Sequence, residues 1–379
     1  GDDLDTIFKD CEKANMVLSR TTEALCEDKE TCMRIGSCIE MEEDKTYTAK
    51  ESYNIYIKYI ARPNESKGQG SEAIRDAKGM YFINPLGTDK EKPTQIWTQG
   101  ETEASSVWIP TIDQTNQKTT QEFYLTVPAK WVTLSNGKLM SQKPAGNGKR
   151  TDYWKMDQPH SPYLLFVGAG DFAVIKETWK GKEVSYYVDK EYASVAKKIF
   201  GNTPEMMTYF SKITGVEYPW VKYGQMVGRD YVSGAMENTT ATIFAQDFVV
   251  DKIGFNDKTY INVNAHELAH QWFGNLITAQ SGKHHWLQEG FATYYALLAE
   301  KELFGDDHFQ WELYEMAERL QKASKTDTIP LLNEKASSLT FYQKGAWALH
   351  SLRESIGAEN FQKAVKNYLK KYGFKNVNT

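Results

Sequence analysis

The chain has 379 residues, enough for two domains, with 45 basic residues against 50 acidic ones and a net charge of −5. No basic block points to nucleic acid and no basic amphipathic segment points to a membrane surface, so neither partner is expected. The apolar runs Tyr163–Val167 and Phe291–Ala299 fall far short of the ~20 residues a membrane span needs.

Residues 1–45 mix charges with scattered apolar residues and suit one or two short helices; they form an unassigned N-terminal segment. All four cysteines, Cys11, Cys26, Cys32 and Cys38, lie there without a C-x-x-C pair. That spacing argues against a structural zinc site and leaves disulfides and free thiols equally open. Tyr53–Ile60, rich in β-branched and aromatic residues, predicts a strand. Pro63–Gln69 and Gly87–Pro93 predict loops, and Glu122–Val127 and Trp131–Leu134 further strands. Asn136-Gly137 predicts a two-residue hairpin and Asn147-Gly148 a second turn before Asp152–Met156. Pro162–Gly168 and Asp171–Glu177 continue the series, so residues 46–188 are expected to form an all-β domain.

Near Tyr187 the apolar period changes. Ala193–Phe200 and Pro204–Ile213 have helical spacing, broken by Tyr218-Pro219-Trp220 from a strand near Gln225–Val227. Helices are then expected around His266 and over Gln288–Lys301, Asp307–Ala323, Phe341–Ile356 and Asn360–Tyr372. Residues 189–379 thus predict a mainly helical domain with a small sheet, and the chain as a whole an α+β multidomain fold.

His266-Glu267-Leu268-Ala269-His270 is the segment with the most chemical content. Two imidazoles at i and i+4 stack on one helix face, His270 lying only about 40° round from His266 and Glu267 about 100° round. Ala265, Leu268, Ala269 and Trp272 follow i, i+3, i+4, i+7 and fall on the opposite, buriable side. A catalytic zinc takes three protein ligands and keeps a position open for water. Glu289, 18 intervening residues after His270, is the expected third ligand, because its helix can run back beside the first. Upstream, Gly234-Ala235-Met236-Glu237-Asn238 sets a small-residue track, open to close backbone approach, beside a negative charge.

The pairing of G-A-M-E-N with H-E-x-x-H-x18-E resembles the aminopeptidase N family of zinc exopeptidases, within the gluzincin group. Other segments are similar too: Trp97-Thr98-Gln99-Gly100-Glu101 with Ile109-Pro110-Thr111-Ile112-Asp113, Pro162-Tyr163-Leu164 to Gly170-Asp171-Phe172, and Phe341-Tyr342-Gln343-Lys344-Gly345-Ala346. The likeness covers residues 46 to 379. It implies a saddle-like β domain followed by a thermolysin-like catalytic domain, with the family's helical C-terminal domain absent from this chain.

The resemblance implies one zinc ion on His266, His270 and Glu289, with Glu267 as general base and Tyr342 as donor to the oxyanion. Glu237 and Glu101 would bind the free α-ammonium of a peptide, and Gln99 would line the pocket for its first side chain. Gly234, Ala235 and Met236 would meet the substrate backbone. The expected reaction is hydrolysis of the N-terminal peptide bond of peptides with a free amine. Two other readings stand beside it: an inactive peptide-binding relative or fragment, and a bifunctional epoxide hydrolase/aminopeptidase, which Glu101 disfavours because that branch resembles T-Q-x-Q. The chain departs from the family at Ser105 and Ser106, where an Arg is usual. His160, His284, His285, His308 and His350 are expected to be structural. Likeness to bacterial-type members favours an extracytoplasmic setting, periplasmic or secreted, with the cytoplasm left open.

Overall fold

The computed structural model describes residues 54–66, 76–250 and 259–379, together with Thr48, Ser52 and Ile74. The segment 1–45 and its four cysteines lie outside the described residues.

Two antiparallel sheets build the first unit. Strands β1 (Met80–Ile83), β2 (Gln95–Thr98), β4 (Val132–Ser135) and β7 (Val167–Gly170) form one, in the order β1-β2-β7-β4. Strands β3 (Thr119–Pro128), β5 (Lys138–Pro144) and β6 (Lys149–His160) form the other, in the order β3-β6-β5. The second sheet shows the period of two that its residues predict: Phe123, Leu125 and Val127 of β3 turn inward with Trp154 and Met156 of β6. Residues 54–59, expected as a strand, carry no regular structure. β-branched and aromatic composition favours a strand only where an edge is available to pair with it.

The two turn signals have different outcomes. Asn147 (φ 49°) and Gly148 (φ 68°) do close the β5–β6 hairpin in the left-handed region, as such turns need. Asn136-Gly137 does not close a hairpin. β4 pairs with β7 and β5 with β6, so this dipeptide is the corner where the chain changes sheets. Gly137 (φ 75°) is required there, since a Cβ would stand 2.0 Å from the Lys155 carbonyl oxygen.

The second unit begins earlier than the expected boundary at 188/189. Strands β8 (Phe172–Trp179) and β9 (Lys182–Asp189) join β10 (Lys222–Gly228), β11 (Ala235–Met236) and β12 (Ala241–Ala245) in a mixed sheet ordered β11-β12-β10-β9-β8. β10 runs parallel to both β9 and β12. A strand's residues announce which faces are buried, not which strand it will pair with, and this is why β8 and β9 read as a continuation of the β domain.

The helices are α1 (Ala196–Phe200), α2 (Thr203–Thr214), α3 (Ile261–Ala269), α4 (Trp286–Phe304), α5 (Asp306–Ala323), α6 (Gly345–Ile356) and α7 (Ala358–Tyr372). A π-helical turn over Thr340–Lys344 leads into α6, and β13 (Thr278–Ala279) pairs in parallel with β14 (Asn376–Val377). α4 is the central element: 13 of its 19 residues are buried, with α3, α5, α6 and the π-turn packed around it. Among the described residues no helix is long and apolar enough to cross a membrane.

Polar side chains fix the two units against each other. Asn136, fully buried, donates to the carbonyls of Leu164 (2.8 Å) and Thr239 (2.7 Å) and accepts from the Phe166 amide (2.7 Å). Gln95 of β2 donates to Asp189 (2.8 Å) and accepts from the Arg229 amide (2.9 Å). Lys118 donates to the carbonyls of Asn275 (3.1 Å) and Leu276 (3.2 Å). Through Thr239, Asp189, Arg229, Asn275 and Leu276 these contacts tie the first unit, whose loop after β2 carries Glu101, to the second.

Candidate active site

α3 ends at His270, whose amide closes the last turn on the His266 carbonyl at 3.1 Å. Ala265, Leu268, Ala269 and Trp272 are buried on the expected side, and the Trp272 indole donates to the Val216 carbonyl at 2.9 Å. With that face pinned, both imidazoles turn towards the first turn of α4. His270 Nδ1 lies 2.9 Å from the Phe273 carbonyl oxygen, which can only accept, so Nδ1 carries a proton and Nε2 is the nitrogen that faces inward. The Nε2 atoms of His266 and His270 stand 2.9 Å apart, and Glu289 Oε2 is 3.2 Å from the first and 3.4 Å from the second.

Two inward-facing imidazole nitrogens and a carboxylate oxygen at these separations fit a cation. Ligands about 2.0–2.2 Å from a tetrahedral centre stand about 3.3 Å apart, and N/O donors of this kind suit zinc. The sequence-predicted triad His266, His270 and Glu289 therefore converges as one cluster, its ligand atoms all within 4.8 Å of one another.

Glu267, one residue beyond the first ligand, is buried, and its Oε2 bonds to nothing among the described residues. Burial pushes its carboxyl well above the usual range; His270 opposes the shift, and the charges of Glu237, Glu289 and Glu101 reinforce it. Tyr342 rides on the π-turn, its ring stacked on His266 with centroids 5.6 Å apart and planes 8° from parallel. Burial and the neighbouring carboxylates hold its phenol well above 10, so it is an O–H donor at neutral pH. Directly after the π-turn the backbone comes close to α4 at two glycines: a Cβ on Gly290 would stand 2.9 Å from Gly345 Cα.

Glu237 follows β11 and is buried. Tyr163 donates to its Oε1 at 3.2 Å and itself accepts from Gln288 at 2.9 Å, while Gln271 and Asn275 hold its backbone carbonyl. Glu101 arrives from the first unit. Burial and the Glu237 charge push its carboxyl up to about 7, against the lowering effect of His285. Four carboxylates, Glu101, Glu237, Glu267 and Glu289, thus share one desolvated space with three imidazoles, a cluster built to receive positive charge.

Gln99 is buried, with its Oε1 accepting from the Tyr231 hydroxyl and its Nε2 unpaired among the described residues. Gly234 is exposed and a Cβ there would meet nothing within 4 Å, so packing does not require glycine. Ala235 is half-buried on β11, at the end of the mixed sheet. Met236 points into the hydrophobic core and offers only its backbone to a ligand. A cleft of about 390 Å³ opens beside these groups, lined by Gly234, Ala235, His266, Glu267, Thr293 and Tyr342, with Glu300, Glu312 and Glu315 on its far wall.

Three site residues escaped the sequence reading. Tyr163 and Gln288 orient Glu237, and His285 touches Glu289. The spacing of His285, four residues before Glu289, was the one available signal. The role of Tyr163 depends on a contact with Gln288, 125 positions away. His160 is buried, its ring nitrogens 3.1 Å from Thr239 Oγ1 and 2.8 Å from Gln121 Oε1.

Comparisons of sequence and fold with known proteins identify the family. The profile of the Peptidase family M1 domain matches residues 199–379 and that of the Peptidase M1 N-terminal domain residues 12–164. The chain is 30% identical to Aminopeptidase M1-D of Oryza sativa subsp. japonica, over 82% of this chain and 38% of that protein. It is also 30% identical to Aminopeptidase M1 of Arabidopsis thaliana (81% and 36%), and 28% identical to Endoplasmic reticulum aminopeptidase 1 of Mus musculus (86% and 35%). Its fold resembles an M1 zinc metallopeptidase mutant from Deinococcus radiodurans, bound to the substrate Tyr-Ser-Ala, with a TM-score of 0.65 at 24% identity, over 75% of this chain and 64% of that one. The chain belongs to peptidase family M1, the family of aminopeptidase N, with the β-rich N-terminal domain preceding the catalytic domain. Membership implies a metal, generally zinc. The chain spans little more than a third of the length of the curated relatives it matches.

Proposed function

We propose that the chain is a zinc aminopeptidase that removes the N-terminal residue from peptides with a free α-amine. The observation that carries this reading is the division of one buried acidic cluster into two parts. Glu289 faces two inward-turned imidazoles, while Glu237 meets the Tyr163 hydroxyl and Glu101 lies 3.6 Å from His285, neither paired with a Lys or Arg among the described residues. A metal answers the first part. A substrate ammonium answers the second.

In this reading His266, His270 and Glu289 hold one zinc ion, which when bound supplies Lewis acidity and lowers the pKa of a water towards ~7. Glu267, with an oxygen free of other bonds, takes the proton from the attacking water and passes it to the leaving amine. Tyr342 donates its O–H to the oxygen on which charge develops. Glu237, aligned by Tyr163, grips the ammonium with Glu101, leaving an acylated nitrogen without partners. The backbone of Gly234 and Ala235 lies at a sheet edge, where an extended peptide can add as a strand, and Gln99 lies on the first-side-chain side.

The test is a panel of aminoacyl-arylamides with free and acetylated amines, each assayed with and without a zinc chelator. Free-amine substrates alone should turn over, and chelation should stop them. Cleavage of acetylated substrates at a similar rate, or turnover indifferent to chelation, would overturn the reading.

A further inference from the structure

His285 is half-buried just ahead of α4, and its carbonyl accepts from the amides of Gln288 (2.9 Å) and Glu289 (3.2 Å). It precedes Glu289 by one helical turn, so the two side chains leave the same face. Glu289 divides its oxygens between two sides. Oε2 faces His266 and His270 at 3.2 and 3.4 Å, whereas Oε1 lies 3.2 Å from His285 Nε2. The same Nε2 stands 3.6 Å from Glu101 Oε1. Phe341, the neighbour of Tyr342, meets the imidazole edge-on, with centroids 5.3 Å apart and planes at 89°. The ring is thus wedged between an aromatic wall and two carboxylates that the proposed reaction uses for different purposes.

The terminal torsion of a Glu side chain is broad and roughly two-fold, so an unrestrained carboxylate can present either oxygen, or both, to a metal. A donor on the far oxygen removes that freedom, as outer partners of metal ligands commonly do. We propose that His285 is a positioning residue: its Nε2–H donates to Glu289 Oε1, presents Oε2 alone to the metal, and keeps Glu101 apart from the ligand set. The inference rests on the ligand assignment made above. It needs only the neutral Nε2–H tautomer.

The test measures zinc affinity of the full chain by competition with a chromophoric chelator, for the parent and for His285→Leu, His285→Gln, His285→Asn and Glu289→Gln. Leu fills the space without a donor and should weaken zinc binding about 10–100-fold. Gln places an amide N–H where Nε2 stood and should recover most of the loss, whereas the shorter Asn should not. If Leu impairs folding, seen as a lost thermal transition, the Gln and Asn pair alone decides the matter, since both are polar and differ in reach. Leu or Asn within twofold of the parent, or Gln as weak as Asn, would overturn the inference. An unchanged affinity in Glu289→Gln would overturn it together with the ligand assignment; a loss there with none in the His285 variants would overturn the role of His285 alone.

Discussion

Glu267 keeps one carboxylate oxygen buried and unbonded among the described residues, beside two imidazoles that point past it. A base that is not a ligand can be neutralised without emptying the metal site. Glu267→Gln should therefore retain about one zinc per chain while turnover falls at least ~10²-fold. Metal analysis alongside kcat checks this, and zinc lost in step with activity would reassign the residue. Glu237 makes a sharper claim. Breaking an ammonium–carboxylate contact in a desolvated cleft costs about 2–5 kcal/mol, much of it from the charge left alone. Glu237→Ala should lower kcat/KM by that much for free-amine peptides, with a far smaller effect on residual cleavage of acetylated analogues. Equal losses on both would make Glu237 structural, acting through Tyr163 rather than on substrate. The imidazole pair was legible in the sequence because its chemistry is local: two imidazoles four residues apart announce their shared face without the rest of the fold, whereas the roles expected of Glu267 and Glu237 came from the family resemblance. Tyr163 could not be found that way, since its phenol acquires meaning only where Gln288 and Glu237 meet it.

The helical elements were readable for the same reason. α2 and α4 to α7 carry their periodicity within one continuous segment, and the structure places them within a few residues of the expected spans. Strand partners were not readable. β4 and β5 flank a dipeptide typical of hairpins yet enter different sheets, and β9, beyond its local hairpin with β8, pairs with β10 more than thirty residues downstream. The π-turn was equally hidden, because an extra residue in a helical turn leaves the surrounding pattern intact. It lies directly before the Gly290–Gly345 contact, and that makes a prediction. Gly290→Ala drives a Cβ to 2.9 Å from Gly345 Cα, an overpacking of a kind that costs about 1–3 kcal/mol, against a helix-propensity gain near ~1. The turn should yield, carrying Tyr342 off His266, so kcat should fall with zinc retained, in the direction of Tyr342→Phe, whose loss of the oxyanion donor should itself cost about 3–4 kcal/mol in kcat. Kinetics and metal content on the two variants decide it; an unaltered kcat would show that the glycine pair does not seat Tyr342.

At the scale of the molecule, the proposed substrate site exists only while the two units stay together, since Glu101 comes from one and Glu237 from the other. Asn136 is heavily committed at that junction, with four partners at 2.7–2.9 Å, one of which, the Thr239 carbonyl, belongs to the second unit. Asn136→Ala would take a partner from two buried carbonyls, the Phe166 amide and the Gln121 side chain, and should cost about 2–4 kcal/mol of stability. Denaturant unfolding should show this as a lowered midpoint, and a change below ~0.5 kcal/mol would mean that water or a relaxed corner replaces the side chain.

The proposed division of labour between Glu237 and Glu101 on one side and the metal ligands on the other also bears on how a catalytic cycle ends. The ammonium those two carboxylates would hold is untouched by hydrolysis, and it leaves on the freed amino acid just as it arrived on the peptide. The enzyme would relax its hold only on the half it releases first, the shortened chain, which keeps no contact with either carboxylate. The amino acid would go last, and as it accumulated in solution it would compete with fresh peptide for the same seat.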